Sequence, residues 1–217
     1  MSNMYQLVVF DWEGTVADTI GQVLHTVIAE ANRLNFGVVR LDEARKYVGL
    51  GLIQALKKLF PHLSLIQHEQ LLQAVQQATV SRNYDICLIP GALDVIQQLN
   101  KAGVHLAIAT NKGHQSLLRA LQMTGLDDYF KVTRAAGQVP SKPCPQMLEE
   151  IMDEFSVQAK DTLMVGDSSN DMEMAKSITV DAIGVDFYHQ TGSLLKSAGA
   201  LEVFDSYSQL ANYLKLP

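Results

Sequence analysis

Cysteine is scarce in this chain, with only Cys87 and Cys144 among 217 residues. Two isolated cysteines build no disulfide framework, and neither belongs to a C-x-x-C pair. Excess positive charge is also lacking. The net charge of −6 argues against a nucleic-acid partner. The six histidines form no H-x-x-x-H or H-E-x-x-H pattern, so zinc is not indicated. No apolar run approaches the roughly 18 residues of a membrane span. A basic start followed by a long apolar stretch is missing as well, because Asp11 and Glu13 interrupt the N-terminal region. The expectation is a cytoplasmic protein in reducing surroundings, with no membrane partner. Internal repeats and low-complexity segments are absent.

What remains is an ordinary globular composition, 47% apolar and 18% charged. The length suits an α/β core with one small inserted unit. Leu7-Val8-Val9-Phe10 is a short apolar run with β-branched members, the pattern of a buried strand. It stops on Asp11, a second acid follows at Glu13, and Gly14-Thr15 breaks the strand. A carboxylate at the carboxyl end of a buried strand is where α/β sheets place their chemistry.

From Ile20 the pattern turns helical. Apolar spacing predicts one helix ending near Gly37, capped by Asp18 or Thr19, a short helical piece at 42–48, a helix stopped at Pro61, and a long helix over 67–84. No strand pattern interrupts this region. The expected organisation is an all-helical insertion, residues 18–87, in a core formed by residues 1–17 and 88–217. Residues 18–88 carry seven Lys/Arg and six Asp/Glu, so the acidic excess lies elsewhere in the chain.

After Pro90-Gly91, strands and helices alternate. Strands are expected at 104–109, 131–134, 162–165, 182–185 and near 201–204. Helices are expected at 92–101, 114–123, 145–155, 171–177 and 207–214. This order implies a doubly wound, Rossmann-like parallel sheet with helices on both faces. The strand ends then converge at one edge. They carry Asp11 and Glu13, then Thr110 and Asn111, then Asp167 and Asp171, with Lys142 in the loop after the third strand. Oxygen donors with several carboxylates suit a hard divalent cation such as Mg²⁺. A lysine and a hydroxyl suit the remaining oxygens of a phosphoryl group.

Four segments in order carry a family resemblance: Asp11-Trp12-Glu13-Gly14-Thr15-Val16, Thr110 at a strand end, Lys142 before Pro143, and Gly166-Asp167-Ser168-Ser169-Asn170-Asp171. Together they resemble the haloacid dehalogenase superfamily of hydrolases. The helical insertion, and the return from Tyr84 to Gly91, resemble its phosphoglycolate-phosphatase-like branch with a small helical cap. The resemblance implies a Mg²⁺-dependent phosphatase acting on a small phosphorylated metabolite. Asp11 would be the nucleophile. Glu13 would be the acid/base. Thr110, Asn111 and Lys142 would hold the phosphoryl group. Asp11, the Glu13 backbone carbonyl and Asp167 would bind the metal, with Asp171 behind them.

The family usually has Asp where this chain has Glu13. That departure keeps open a weakly active or non-catalytic phosphate binder; a phosphomutase with the same covalent step is a further alternative, which the cap residues do not decide. Gly49 and Gly51 resemble a glycine-bearing specificity loop, although a helix–helix turn explains them equally. Arg45 and Lys46 before them could meet an anionic substrate. Oligomeric state is not legible.

Overall fold

The computed structural model describes residues 5–48, 50–81 and 86–216. They form two compact units, one made of residues up to Ala17 and from Leu88 onward, the other of Asp18–Cys87.

The first unit is built on six parallel strands: β1 (Leu7–Phe10), β2 (His105–Gly113), β3 (Val132–Ala136), β4 (Thr162–Gly166), β5 (Asp181–Val185) and β6 (Glu202–Phe204). Their order is β3-β2-β1-β4-β5-β6. This is the doubly wound order, in which winding reverses beside β1 and opens a crevice at the carboxyl ends of β1 and β4. The α/β, Rossmann-like expectation holds.

Strand periodicity divides the core. Leu7, Val9, Ala107, Ala109 and Met164 pack with Met147, Leu148, Ile151, Met172 and Ala175. Val8, Phe10, Leu106, Ile108, Leu163 and Val165 are equally buried and alternate with them, so they face the other side. A strand buried on both faces reads as a continuous apolar run, which is why Leu7–Phe10 shows no alternation.

Five helices belong to the alternating part: α5 (Ala92–Lys101), α6 (His114–Thr124), α7 (Gln146–Phe155), α8 (Ser169–Ser177) and α10 (Tyr207–Tyr213). A further helix, α9 (Gly192–Ala198), lies where no element is expected. Only Leu195 in it is buried, so it has no apolar stripe to read. Its start is set instead by Asp186, whose carboxylate accepts the backbone N–H groups of Gln190, Thr191 and Gly192.

Among the described residues, the second unit holds four helices: α1 (Thr19–Arg33), α2 (Leu41–Arg45), α3 (Leu52–Leu59) and α4 (Leu65–Ser81). Asp18 caps α1 by accepting the Gly21 N–H at 2.8 Å. The helix ends before Gly37 because Asn35 takes the left-handed conformation, φ 56°. The short α2 stops at Arg45, and residues 46–48 are turns. Gly49 and the 82–85 stretch that contains Tyr84 lie outside the described residues. Among the described residues, no helix is long and apolar enough to cross a membrane.

Candidate active site

Sheet register builds the site. Phe10 pairs with Ile108 of β2 and Val165 of β4. The residues one or two places beyond these partners therefore emerge together: Asp11, Thr110 and Asp167. The Asp11 N–H donates to the Val165 carbonyl at 2.9 Å, which carries the pairing one step further before the chain turns.

Asp11, Asp167 and Asp171 bring carboxylate oxygens within 4.8 Å of one another. Asp11 and Asp171 are buried, and Asp167 is partly so. Lys142 enters this group with its side chain only 2% exposed. Its Nζ lies 2.5 Å from Asp171 Oδ1 and 2.8 Å from Asp11 Oδ1. Burial opposes the ammonium charge, but the two carboxylates outweigh it and hold the Lys142 pKa above the ordinary lysine value. Burial, followed by the charges of Asp11 and Asp171, pushes Asp167 up to about 7. Burial and the charge of Asp11 also raise Asp171, against the pull of Lys142.

The group fits a hard dication. Ionised, three carboxylates and one ammonium leave two negative charges in a confined space. The buried Asp11 Oδ1 has no aligned hydrogen-bond donor despite the nearby ammonium, so acceptor capacity remains. Oxygen donors alone select a cation of the Mg²⁺ kind. The carboxylate of Glu13 is not among the converging oxygens.

Two glycines make the approach possible. A Cβ at Gly14, where φ is 76°, would run into the Asp167 carboxylate, and one at Gly166 would run into Asp171. Asp171 is fixed from a second side. Its Oδ2 accepts the Ser168 N–H at 3.1 Å and the Ser168 hydroxyl at 2.7 Å, which forms a capping box at the start of α8. The helix therefore begins at Ser169, two residues earlier than the apolar pattern implies.

The end of β2 departs more from expectation. The strand does not stop before Thr110 but runs to Gly113, with a register shift against β3 between Thr110 and Gly113. Asn111 and Lys112 lack ladder partners there and turn to neighbouring loops. Asn111 Oδ1 accepts the Lys142 N–H at 2.9 Å. The Lys112 N–H donates to Thr110 Oγ1 at 3.2 Å. Lys112 Nζ reaches Glu13 Oε1 at 2.7 Å, with the Glu13 side chain half exposed.

Four further participants lie outside the residues expected from sequence. Lys112 stood inside the quoted Thr110–Gly113 stretch. The Thr15 hydroxyl donates to Asp167 Oδ1 at 3.3 Å. Ser168 had a readable signal, a serine three residues before an acid. Tyr207 had none: from 192 residues away, its buried hydroxyl donates to the Thr15 carbonyl at 2.9 Å. Arg45 and Lys46 are exposed residues of the helical unit, and Gly51 starts α3 with φ 74°.

A family profile described as haloacid dehalogenase-like hydrolase matches residues 8–185. The chain belongs to the haloacid dehalogenase-like hydrolase family. It is 24% identical to a phosphoglycolate phosphatase of Psychrobacter arcticus, over 96% of this chain and 95% of that protein. It is 30% identical to the "Probable phosphatase IndB" of Dickeya dadantii, over 95% and 92% respectively. Among solved structures, a family hydrolase from Deinococcus radiodurans with bound phosphate and sodium superposes with a TM-score of 0.71. It is 17% identical and covers 99% of this chain and 97% of that one, a likeness of fold.

Proposed function

We propose that this phosphoric monoester hydrolase cleaves a small phosphomonoester, phosphoglycolate-like or a sugar phosphate, through an aspartyl-phosphate intermediate and with Mg²⁺ as cofactor. The observation that carries the reading is Asp11. It is a buried carboxylate at the end of the central strand, with one oxygen lacking an aligned donor and an ammonium 2.8 Å away. Two relatives named as phosphatases support it.

Asp11 attacks phosphorus, forming a P–O bond as the bond to the leaving oxygen breaks. Glu13 gives that oxygen its proton and later takes one from the water that cleaves the acyl phosphate. The Thr110 hydroxyl accepts from Lys112, so its own O–H remains available for a phosphoryl oxygen. Lys142 has three N–H groups and donates to Asp171, so N–H capacity remains for the phosphoryl group. Asp11, Asp167, Asp171 and the Glu13 backbone carbonyl would hold the metal, which when bound supplies positive charge opposite the phosphoryl oxygens. Residues 18–87 form a cap that selects the substrate, with Arg45, Lys46, Gly49 and Gly51 as its candidate contacts. The compartment is the cytoplasm.

Hydrolysis of p-nitrophenyl phosphate with Mg²⁺ tests the reading, against an Asp11→Asn control that loses at least about 10⁴-fold. Wild-type turnover no faster than that control would sink it. Free phosphate release measured against sugar-phosphate isomer conversion separates a phosphatase from a phosphomutase.

A further inference from the structure

We propose that Lys112 is a positioning residue for Glu13, a tether that holds the long acid at the reacting group. The proposal rests on the phosphatase reading above. Among the described residues, Lys112 is the one hydrogen-bonding partner of the Glu13 carboxylate, at 2.7 Å across 99 positions of sequence. The anchor's backbone is held in place. Its N–H is bound to Thr110 Oγ1, and the register shift in β2 directs it out of the ladder.

The need for a tether follows from side-chain length. Glutamate has one more rotatable bond than aspartate, and the Glu13 side chain is 50% exposed. An unrestrained glutamate samples several rotamers, each ordered at an entropic cost. The ion-paired carboxylate is the form that takes a proton from the attacking water; a base works only within about 2.6–3.2 Å of that proton's oxygen, and a misplacement of about 1 Å can cost on the order of 10²-fold. A lysine fixed beside the phosphoryl-holding threonine ties the acid to the part of the site it must serve. Aspartate at the same position has no slack to remove, so the benefit of Lys112 depends on Glu13.

That dependence separates a tether from a phosphate-binding cation. Lys112→Met should lower kcat for p-nitrophenyl phosphate about 10-fold, leave KM within about two-fold, and be largely rescued by Lys112→Arg. In a Glu13→Asp background the loss should shrink at least about five-fold, because the interaction energy belongs to the pair. Independently of activity, a zero-length carbodiimide should condense the Glu13 carboxyl with the Lys112 amine, with loss of water. Peptide mass spectrometry should then find the amide in wild type and not in Lys112→Arg. Equal losses in both backgrounds, a rise in KM alone, or no Glu13–Lys112 amide in an active wild type would overturn the tether and leave the phosphatase reading standing. A wild type no faster than Asp11→Asn would remove that reading and the catalytic role of the pair with it, even where the amide forms.

Discussion

At the carboxyl edge of the sheet two lysines meet carboxylates at nearly equal distance, one sealed and one at the rim. Lys142 stands 2.8 Å from Asp11 and 2.5 Å from Asp171, almost without exposure. Lys112 stands 2.7 Å from Glu13, with 25% and 50% of the two side chains exposed. Distance alone would rank them together, but burial sets them apart. At the rim, water competes for both charges and an ion pair contributes about 0–1 kcal/mol. In the sealed pair each charge has lost its water, so each depends on the other. The sealed lysine is therefore part of the structure as well as of the site, whereas the rim lysine is free to act mainly on geometry.

The largest test of this contrast is Lys142→Met. Removing the ammonium leaves three carboxylates facing one another. The metal-free protein should lose about 3–5 kcal/mol in urea unfolding, and hydrolysis should fall with it. A loss below about 1 kcal/mol would make the two pairs equivalent.

Tyr207→Phe asks whether rigidity extends beyond the charges. It leaves the Thr15 carbonyl without its buried donor, for an expected loss of about 1–3 kcal/mol by the same measurement.

Acidity offers a graded test. Asp167 is pushed up to about 7 from its ordinary 3.8, by burial first and then by neighbouring charge. The folded metal-free protein therefore holds this proton more tightly than the unfolded chain. Its stability should fall as pH rises from about 4 to about 7, then level off. On the proposed reading Asp167 would bind Mg²⁺ only after losing this proton, so Mg²⁺ should raise the melting temperature more at pH 8 than at pH 5. Equal shifts at both pH values would detach Asp167 from the metal. The smallest effect is that of Lys112→Met on stability, within about 1 kcal/mol.

The parts of the molecule legible in sequence are those governed by local rules. Leu7–Phe10 reads as a buried strand because its composition says so, and Asp11, Thr110 and Asp167 read as neighbours because parallel strands end at one edge. Features that depend on register or long-range packing were not legible. The bulge after Thr110 exists only against β3, and Lys112, which meets Glu13, lies within it. Tyr207 reaches Thr15 only once α10 has docked. Helix α9 has a single buried residue, so periodicity could not announce it. Asn35 ends α1 by adopting a left-handed conformation that asparagine tolerates, two residues before Gly37, where composition alone puts the stop.

Ala17 and Leu88 form an antiparallel bridge, and the Ile89 N–H donates to the Val16 carbonyl at 2.9 Å. The insertion thus leaves and rejoins the sheet-bearing unit at adjacent points, as a hairpin leaves and rejoins a strand pair. A two-residue turn could close that gap. None of the strand-end residues of the carboxylate site lies inside the excised stretch. The helical region is in this sense a replaceable module, open to exchange or removal by grafting at a single doorway while the chemistry-bearing frame keeps its sequence.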